Sequence, residues 1–233
     1  MTMPAADSPG VSPPPGPQIH DRHPLALALF GLTLVSGLID AVSYLGLGHV
    51  FTANMTGNVV VIAFALAGAP GFSVTGSLTS LAAFLLGALL AGRLAVRGPE
   101  GRPRARPGTV FALEAALYGV AAAVVFVRSA EGPAQYVVIA LLALAMGVRN
   151  GTVRSLGVPD LTTTVLTLTL TGLAADSRLA GGAAARQRRK ILSVATMLAG
   201  AVPGAVLVLH GQTAWALVAS AALAGGTLLV HRE

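Results

Sequence analysis

A chain of 233 residues that is 54% hydrophobic and only 10% charged is poor material for a water-soluble domain, since soluble domains keep about a quarter of their residues charged. The absence of cysteine excludes a disulfide framework, a thiolate nucleophile and a thiolate metal site. The net charge of +6 comes with basic residues that collect mostly in two clusters between apolar stretches, which speaks for loops beside a membrane and against a nucleic-acid partner.

Residues 1–24 form a Pro-, Ser- and Gly-rich tail without apolar period, read as disordered. It lacks the basic and apolar regions of a secretory signal. From 25 to 231 the chain reads as one transmembrane domain. Six stretches reach the roughly 20 residues a bilayer demands: 25–47, 75–96, 109–128, 134–156, 190–210 and 213–231. Two others are shorter and led by polar residues, 51–68 (FTANMTGNVVVIAFALAG) and 161–175 (LTTTVLTLTLTGLAA). The alternation of Leu and Thr over 166–171 has the period of a strand, although a threonine-rich helix is the plainer reading.

The arginine clusters bear on the topology. One comprises Arg93, Arg97, Arg102, Arg104 and Arg106; the other Arg178, Arg186, Arg188, Arg189 and Lys190. If all eight segments crossed, the clusters would lie on opposite faces, against the positive-inside rule. If both short segments are re-entrant, both clusters and both termini are cytoplasmic. Broken backbone at membrane depth must be enclosed by protein or face a wet cavity, so the short segments are expected to meet near the centre.

A weak repeat joins the halves 25–128 and 134–231. Gly37 aligns with Gly147, Asp40 with Asn150, Leu47-Gly48 with Leu156-Gly157 and, after a further slip, Thr56 with Thr167. FLLGALLAG (84–92) matches MLAGAVPGA (197–205). Three crossings per half would make the repeats antiparallel, the plan of many transporters. Chance similarity between Ala- and Gly-rich helices is the competing explanation.

The pattern G-x-x-D-A-x-S-Y-L at 37–45, then F-T-A-N-M-T-G-N at 51–58, resembles the YoaK-like bacterial membrane proteins (domain of unknown function 1275). The later G-x-R-N-G at 147–151 and T-T-x-V-L-T at 162–167 resemble that family's second signature, with Leu168 where a glycine is expected. The resemblance covers about residues 25–230. It implies a multi-pass protein of the bacterial inner membrane with six spans and brings no substrate with it.

Polar groups at membrane depth are the candidates for function. Asp40 lies well inside the first span. Glu114 and Arg149, on spans running in opposite directions, fall at a similar depth and are candidates for a structural ion pair. Asn54, Thr56 and Asn58 precede or open a short helix whose free N–H groups would face a ligand, unless they only cap it and bond to neighbouring helices. With Asp40, Asn150, Thr164 and Thr167 they make up the expected solute or ion site. The five histidines show no ligand spacing, and no metal or other cofactor is expected. Gly87, Gly92, Gly200 and Gly204 are expected to permit close helix packing, and Pro203 to kink its span. No motif for hydrolysis or nucleotide use is present, and an enzyme is not expected. Two functions remain: passage of a small solute or ion, or a non-transporting scaffold binding a partner or lipid. The composition is compatible with a homo-oligomer.

Overall fold

The computed structural model describes residues 24–95, 107–156, 166–182 and 187–231. The N-terminal tail, the loop with Arg97, Arg102, Arg104 and Arg106, and the residues Thr164 and Arg186 lie outside the described residues. Among the described residues there are eight α-helices: α1 (Pro24–Gly46), α2 (Met55–Leu66), α3 (Val74–Ala95), α4 (Pro107–Arg128), α5 (Gly132–Leu156), α6 (Leu166–Ala175), α7 (Gln187–Leu209) and α8 (Thr213–His231). A single 3-10 turn, Arg178–Ala180, precedes α7.

Five of these, α1, α3, α4, α5 and α7, are long and apolar enough to cross a membrane. The 19-residue α8 is similar in character. The 12 residues of α2 and the 10 of α6 extend only about 18 and 15 Å, short of the roughly 30 Å hydrocarbon core. The Leu/Thr alternation of 166–171 belongs to a helix. A helix satisfies its own backbone, whereas a lone strand would leave N–H and C=O groups unpaired in lipid. Pro203 sits inside α7, which continues through it.

Left-handed glycines end three of the helices. At α1, Gly48 has φ +78° and the N–H of His49 donates back to the carbonyl of Tyr44, the pairing that closes a helix end when the next residue turns left-handed. Gly68 and Gly211 do the same after α2 and α7.

The order of helix ends is legible from contacts. At one end of the bundle, His49 after α1 bonds the carbonyl of Gly71 before α3 at 3.1 Å. Gly48 faces Gln135 at the start of α5, and Gly46 faces Val208 and Thr213 at the α7–α8 turn. At the opposite end, Gly31 of α1 and Gly108 of α4 face Thr227 and Leu228 of α8, and Gly151 of α5 meets Ala91 of α3. The chain therefore leaves α1 and enters α3 at the same end, with α2 between. The start of α2 lies beside Ser80, about 9 Å along α3 from its first residue. Phe64, near its other terminus, returns to Phe72. In the second half, α6 is tied to the start of α7 at the opposite end by Gln187, which donates to the Leu173 carbonyl, and by Lys190 on Asp176 at 2.6 Å. Arg93, Arg154, Arg188 and Lys190 all lie toward that second end.

The helices divide into an inner and an outer set. α1 and α5 are 67% and 61% buried over their apolar windows, against 28% for α3 and 17% for α7. α1 packs on α7 and α8; α5 packs on α3 and α4; α4 and α8 pack together across the middle. Leu29, Leu32, Ile39, Leu142, Met146 and Leu217 fill the core. Outward-facing Val59, Phe64, Leu85, Leu86, Leu168 and Leu198 stay exposed, an apolar surface suited to acyl chains. The short helices α2 and α6 pack on α3 and α7 respectively, and among the described residues neither is packed closely against the other. Helices α1, α4, α5 and α8 occupy the centre, and the polar lead of the second short segment, residues 161–165, whose meeting with the first was expected there, lies outside the described residues.

Two crossings depend on glycine. A Cβ on Gly37 would strike the carbonyl of Met197 and the N–H of Ala201, and one on Gly200 the carbonyl of Leu34. The α5–α3 crossing has the same design, with Gly147 on Phe84 and Ala88, and Gly87 on Leu144. Gly204 also approaches the α1 backbone at Leu38, whereas a Cβ on Gly92 would meet nothing within 4 Å among the described residues, so its expected packing role is corrected. Gly37→Ala and Gly200→Ala should each lower stability by about 1–3 kcal/mol through overpacking. Gly92→Ala, on an open helix face, should be neutral or stabilise by up to about 1 kcal/mol. Thermal unfolding in detergent checks the contrast.

Candidate functional site

The centre of the bundle holds a fully buried ion pair. Arg149 on α5 and Glu114 on α4 are both 0% exposed, and Arg149 Nη2 is joined to Glu114 Oε1. The guanidinium has further acceptors. Nη1 donates to the Leu32 carbonyl at 2.7 Å and to Ser36 Oγ at 2.6 Å, both on α1, and Nη2 also reaches Tyr118 Oη at 3.3 Å. Tyr118 passes its own hydrogen to Met146 Sδ at 3.2 Å. Arg149 thus ties together α1, α4 and α5. A planar fork of donors suits this better than the point charge of a lysine.

Asp40 extends the cluster. It lies one turn beyond Ser36 on α1, and four-residue spacing puts the two on one helix face. Oδ1 of Asp40, Oε2 of Glu114 and Nε of Arg149 are enclosed without a hydrogen-bond partner. Asn150, next to Arg149, donates to the Met146 carbonyl at 2.8 Å.

The segment before α2 has a different logic. Asn58 is fully buried, and its side-chain amide acts as a substitute backbone. Oδ1 accepts from the Phe51 N–H at 2.9 Å, while Nδ2 donates to the Phe51 carbonyl at 2.6 Å and to Ser80 Oγ at 3.2 Å. Ser80 donates to the same carbonyl at 2.6 Å. These bonds fold the 51–54 stretch onto α3. Asn54 is the N-cap residue but makes no side-chain cap bond, and both Asn54 and Thr56 are exposed. Thr52, buried beside them, has an Oγ1 without a partner. Thr167 is exposed, whereas Thr169 on the same helix is buried.

The structure therefore splits the expected site. Asp40 lies with Glu114 and Arg149, and Asn150 beside them. Asn54, Thr56 and Asn58 lie at the start of α2 against α3, Thr167 lies on α6, and Thr164 falls outside the described residues. Ser36, Tyr118 and Ser80 were not singled out from the sequence, although Ser36 and Tyr118 each sit four residues from a marked carboxylate, on the same helix face. Among the described residues no three His, Asp or Glu side chains gather as a metal site would require.

The family model described as "protein of unknown function (DUF1275)" matches residues 28–230, from the first turns of α1 to the end of α8. The chain belongs to this family. A curated relative, the UPF0700 transmembrane protein YoaK of Bacillus subtilis (strain 168), is 36% identical over 145 residues, which cover 62% of this chain and 64% of that protein's length. No solved structure matches the chain. Family membership and the long apolar helices together make this a multi-pass membrane protein.

Glu114→Gln and Arg149→Gln should each cost about 3–5 kcal/mol, because one buried charge then loses its partner. The double variant should cost less than the sum, and detergent unfolding of the four proteins measures the coupling. Asn58→Leu should destabilise by about 1–3 kcal/mol by stranding the Phe51 N–H and carbonyl. Asn54→Leu at the exposed cap should leave the melting temperature nearly unchanged.

Proposed function

We propose that this protein is a membrane transporter or channel-like protein for a small solute or ion, built from two inverted repeats of one crossing, one re-entrant half-helix and two further crossings. The observation that carries the reading is the placement of two helices too short to span, α2 returning to one end of the bundle and α6 tied to the other. Half-helices entering from opposite sides are the plan by which inverted-repeat transporters place helix termini at membrane depth.

Three features support the repeat. α1 packs on α7 and α8 as α5 packs on α3 and α4. The glycine crossings correspond residue by residue: Gly37 on Met197 and Ala201 mirrors Gly147 on Phe84 and Ala88, at the positions where the sequence halves align. The gathering of Arg93, Arg154, Arg188 and Lys190 toward one end supports six spans with that end and both termini cytoplasmic. The solute path then runs beside the Asp40–Arg149–Glu114 cluster, where α1 and α5 approach, with the polar start of α2 at its periphery.

A second reading, a scaffold or partner-binding subunit, draws on the complete enclosure of Arg149 and Glu114, which a purely structural lock would also show. Function and stability separate the two. Reconstituted protein should move at least one solute from a broad panel, and Thr56→Val should reduce that flux several-fold without lowering the melting temperature. A parallel fall of both would favour the scaffold. Because the chain has no cysteine, single cysteines at Arg104, Arg188 and Ala130 report topology without background. Labelling of Arg104→Cys and Arg188→Cys from the cytoplasm and of Ala130→Cys from outside is expected, and opposite labelling of the two arginine sites would remove the inverted plan.

A further inference from the structure

We propose that Asp40 is a proton-exchange site, and that its protonation decides whether Arg149 is shared between α1 and α4 or held by Glu114 alone. The proposal rests on the transport reading only for its use as a coupling device; the proton site itself stands on the geometry of the cluster.

Charge is the first argument. Glu114 is paired with Arg149, and Asp40 lies one helical turn from Ser36, which Arg149 also holds, so the cluster carries one excess negative charge when all three groups are ionised. Such a charge in an apolar bundle is costly unless something neutralises it, and one bound proton suffices. The neighbouring helices offer no other counter-charge. α8 has no charged residue between Thr213 and Leu228. The cationic residues of α7, Arg188, Arg189 and Lys190, lie at its N-terminal end, where Lys190 is engaged by Asp176. Toward the other end of α1 stand Tyr44, His49 and, at the end of α7, His210, of which His49 is held on the Gly71 carbonyl and His210 on that of Val206.

Geometry then separates the two carboxylates. Glu114 is fully enclosed and directly paired with Arg149. Asp40 is only part-buried, yet its Oδ1 is enclosed without a hydrogen-bond partner. Asp40 thus combines an unpaired oxygen with partial exposure, and Glu114 has no exposure. Asp40 also lies closer to the His49 end of α1, whereas Glu114 is seven residues from the first residue of α4 at the opposite end. Water at the His49 end is the proton's source and sink, and the bond made and broken is the carboxyl O–H of Asp40. A metal cation is the poorer candidate. The guanidinium repels it, and no cluster of three acidic or histidine ligands exists among the described residues.

Arg149 provides the readout of the switch. With Asp40 ionised, the guanidinium answers to carboxylates on two helices, and its attachment to Leu32 and Ser36 on α1 is reinforced. With Asp40 protonated, that reinforcement disappears and only hydrogen bonds to a carbonyl and a hydroxyl connect Arg149 to α1.

Infrared difference spectroscopy of the wild-type protein in liposomes, titrated over its stable pH range, tests this directly. The expected result is the carbonyl stretch of a protonated carboxylic acid that appears on acidification. It should shift when aspartate is labelled with carbon-13 and vanish completely in Asp40→Asn. Glutamate labelling should leave it in place. Absence of any titrating carboxylic band, a band that follows glutamate labelling, or one that survives in Asp40→Asn would each overturn the proposal. The isotope arms need no substitution, so they stand even if Asp40→Asn fails to fold. They are also independent of solute flux. A titrating Asp40 without transport would sink only the transport reading, and transport without a titrating Asp40 would sink only the proton site.

Discussion

An ionised guanidinium enclosed in an apolar helix bundle is the constraint on which the rest of this structure turns. Arg149 cannot shed its charge as a buried lysine can, so its surroundings have to supply acceptors for a planar fork of donors. They come from two helices, a carboxylate and a phenol on α4 and a carbonyl and a hydroxyl on α1, while α5 carries the arginine itself. The Leu32 carbonyl accepts from Ser36 Oγ as well as from Arg149, and it is within reach because α1 lies close by. That closeness depends in turn on how the inner helices are backed. α7 and α3 press against α1 and α5 through glycines whose missing side chains let backbone meet backbone. Polar centre and glycine crossings are thus parts of one arrangement: the first demands a fixed geometry, and the second holds it without side chains that flex.

Much of this was legible in the sequence where a single helix decides the matter. The span read at 134–156 is α5 at 132–156 within two residues, because an apolar run of that length has only one stable form in lipid. The stretch 51–68 contains a helix of 12 residues because its polar lead cannot be drawn into hydrocarbon without partners. Glu114 and Arg149 attract notice for the same reason, and counting helical rises from opposite termini brings them to the level where the structure joins them.

What was not legible concerns which face of a helix meets which neighbour. Asn54, Thr56 and Asn58 look alike as a polar motif, yet only Asn58 turns inward, because its amide matches both backbone groups of Phe51. The motif contains nothing that selects α3 over α6 as the partner of α2. Gly92 has the small-residue spacing of a packing face but lies beyond the crossing. Ser36 and Tyr118 are ordinary residues in their helices and acquire meaning only when an arginine from another helix arrives between them.

The exchange of partners between the halves has a consequence for how the chain is made. Helices enter the membrane in order of synthesis, and α1 emerges first, but its main neighbours are α7 and α8, the last to be completed. Its Ser36 must await an arginine 113 residues downstream. The first half alone can therefore join α2 to α3 but cannot close its own centre. The hydroxyls of Thr33, Ser36 and Ser43 are answered by carbonyls of α1 itself. Until the ribosome has nearly finished, however, the carboxylate of α1 waits without the helices that enclose it, and the nascent chain depends on the insertion machinery for shelter. Maturation of this protein is a late, cooperative event in which two interlocked halves settle together.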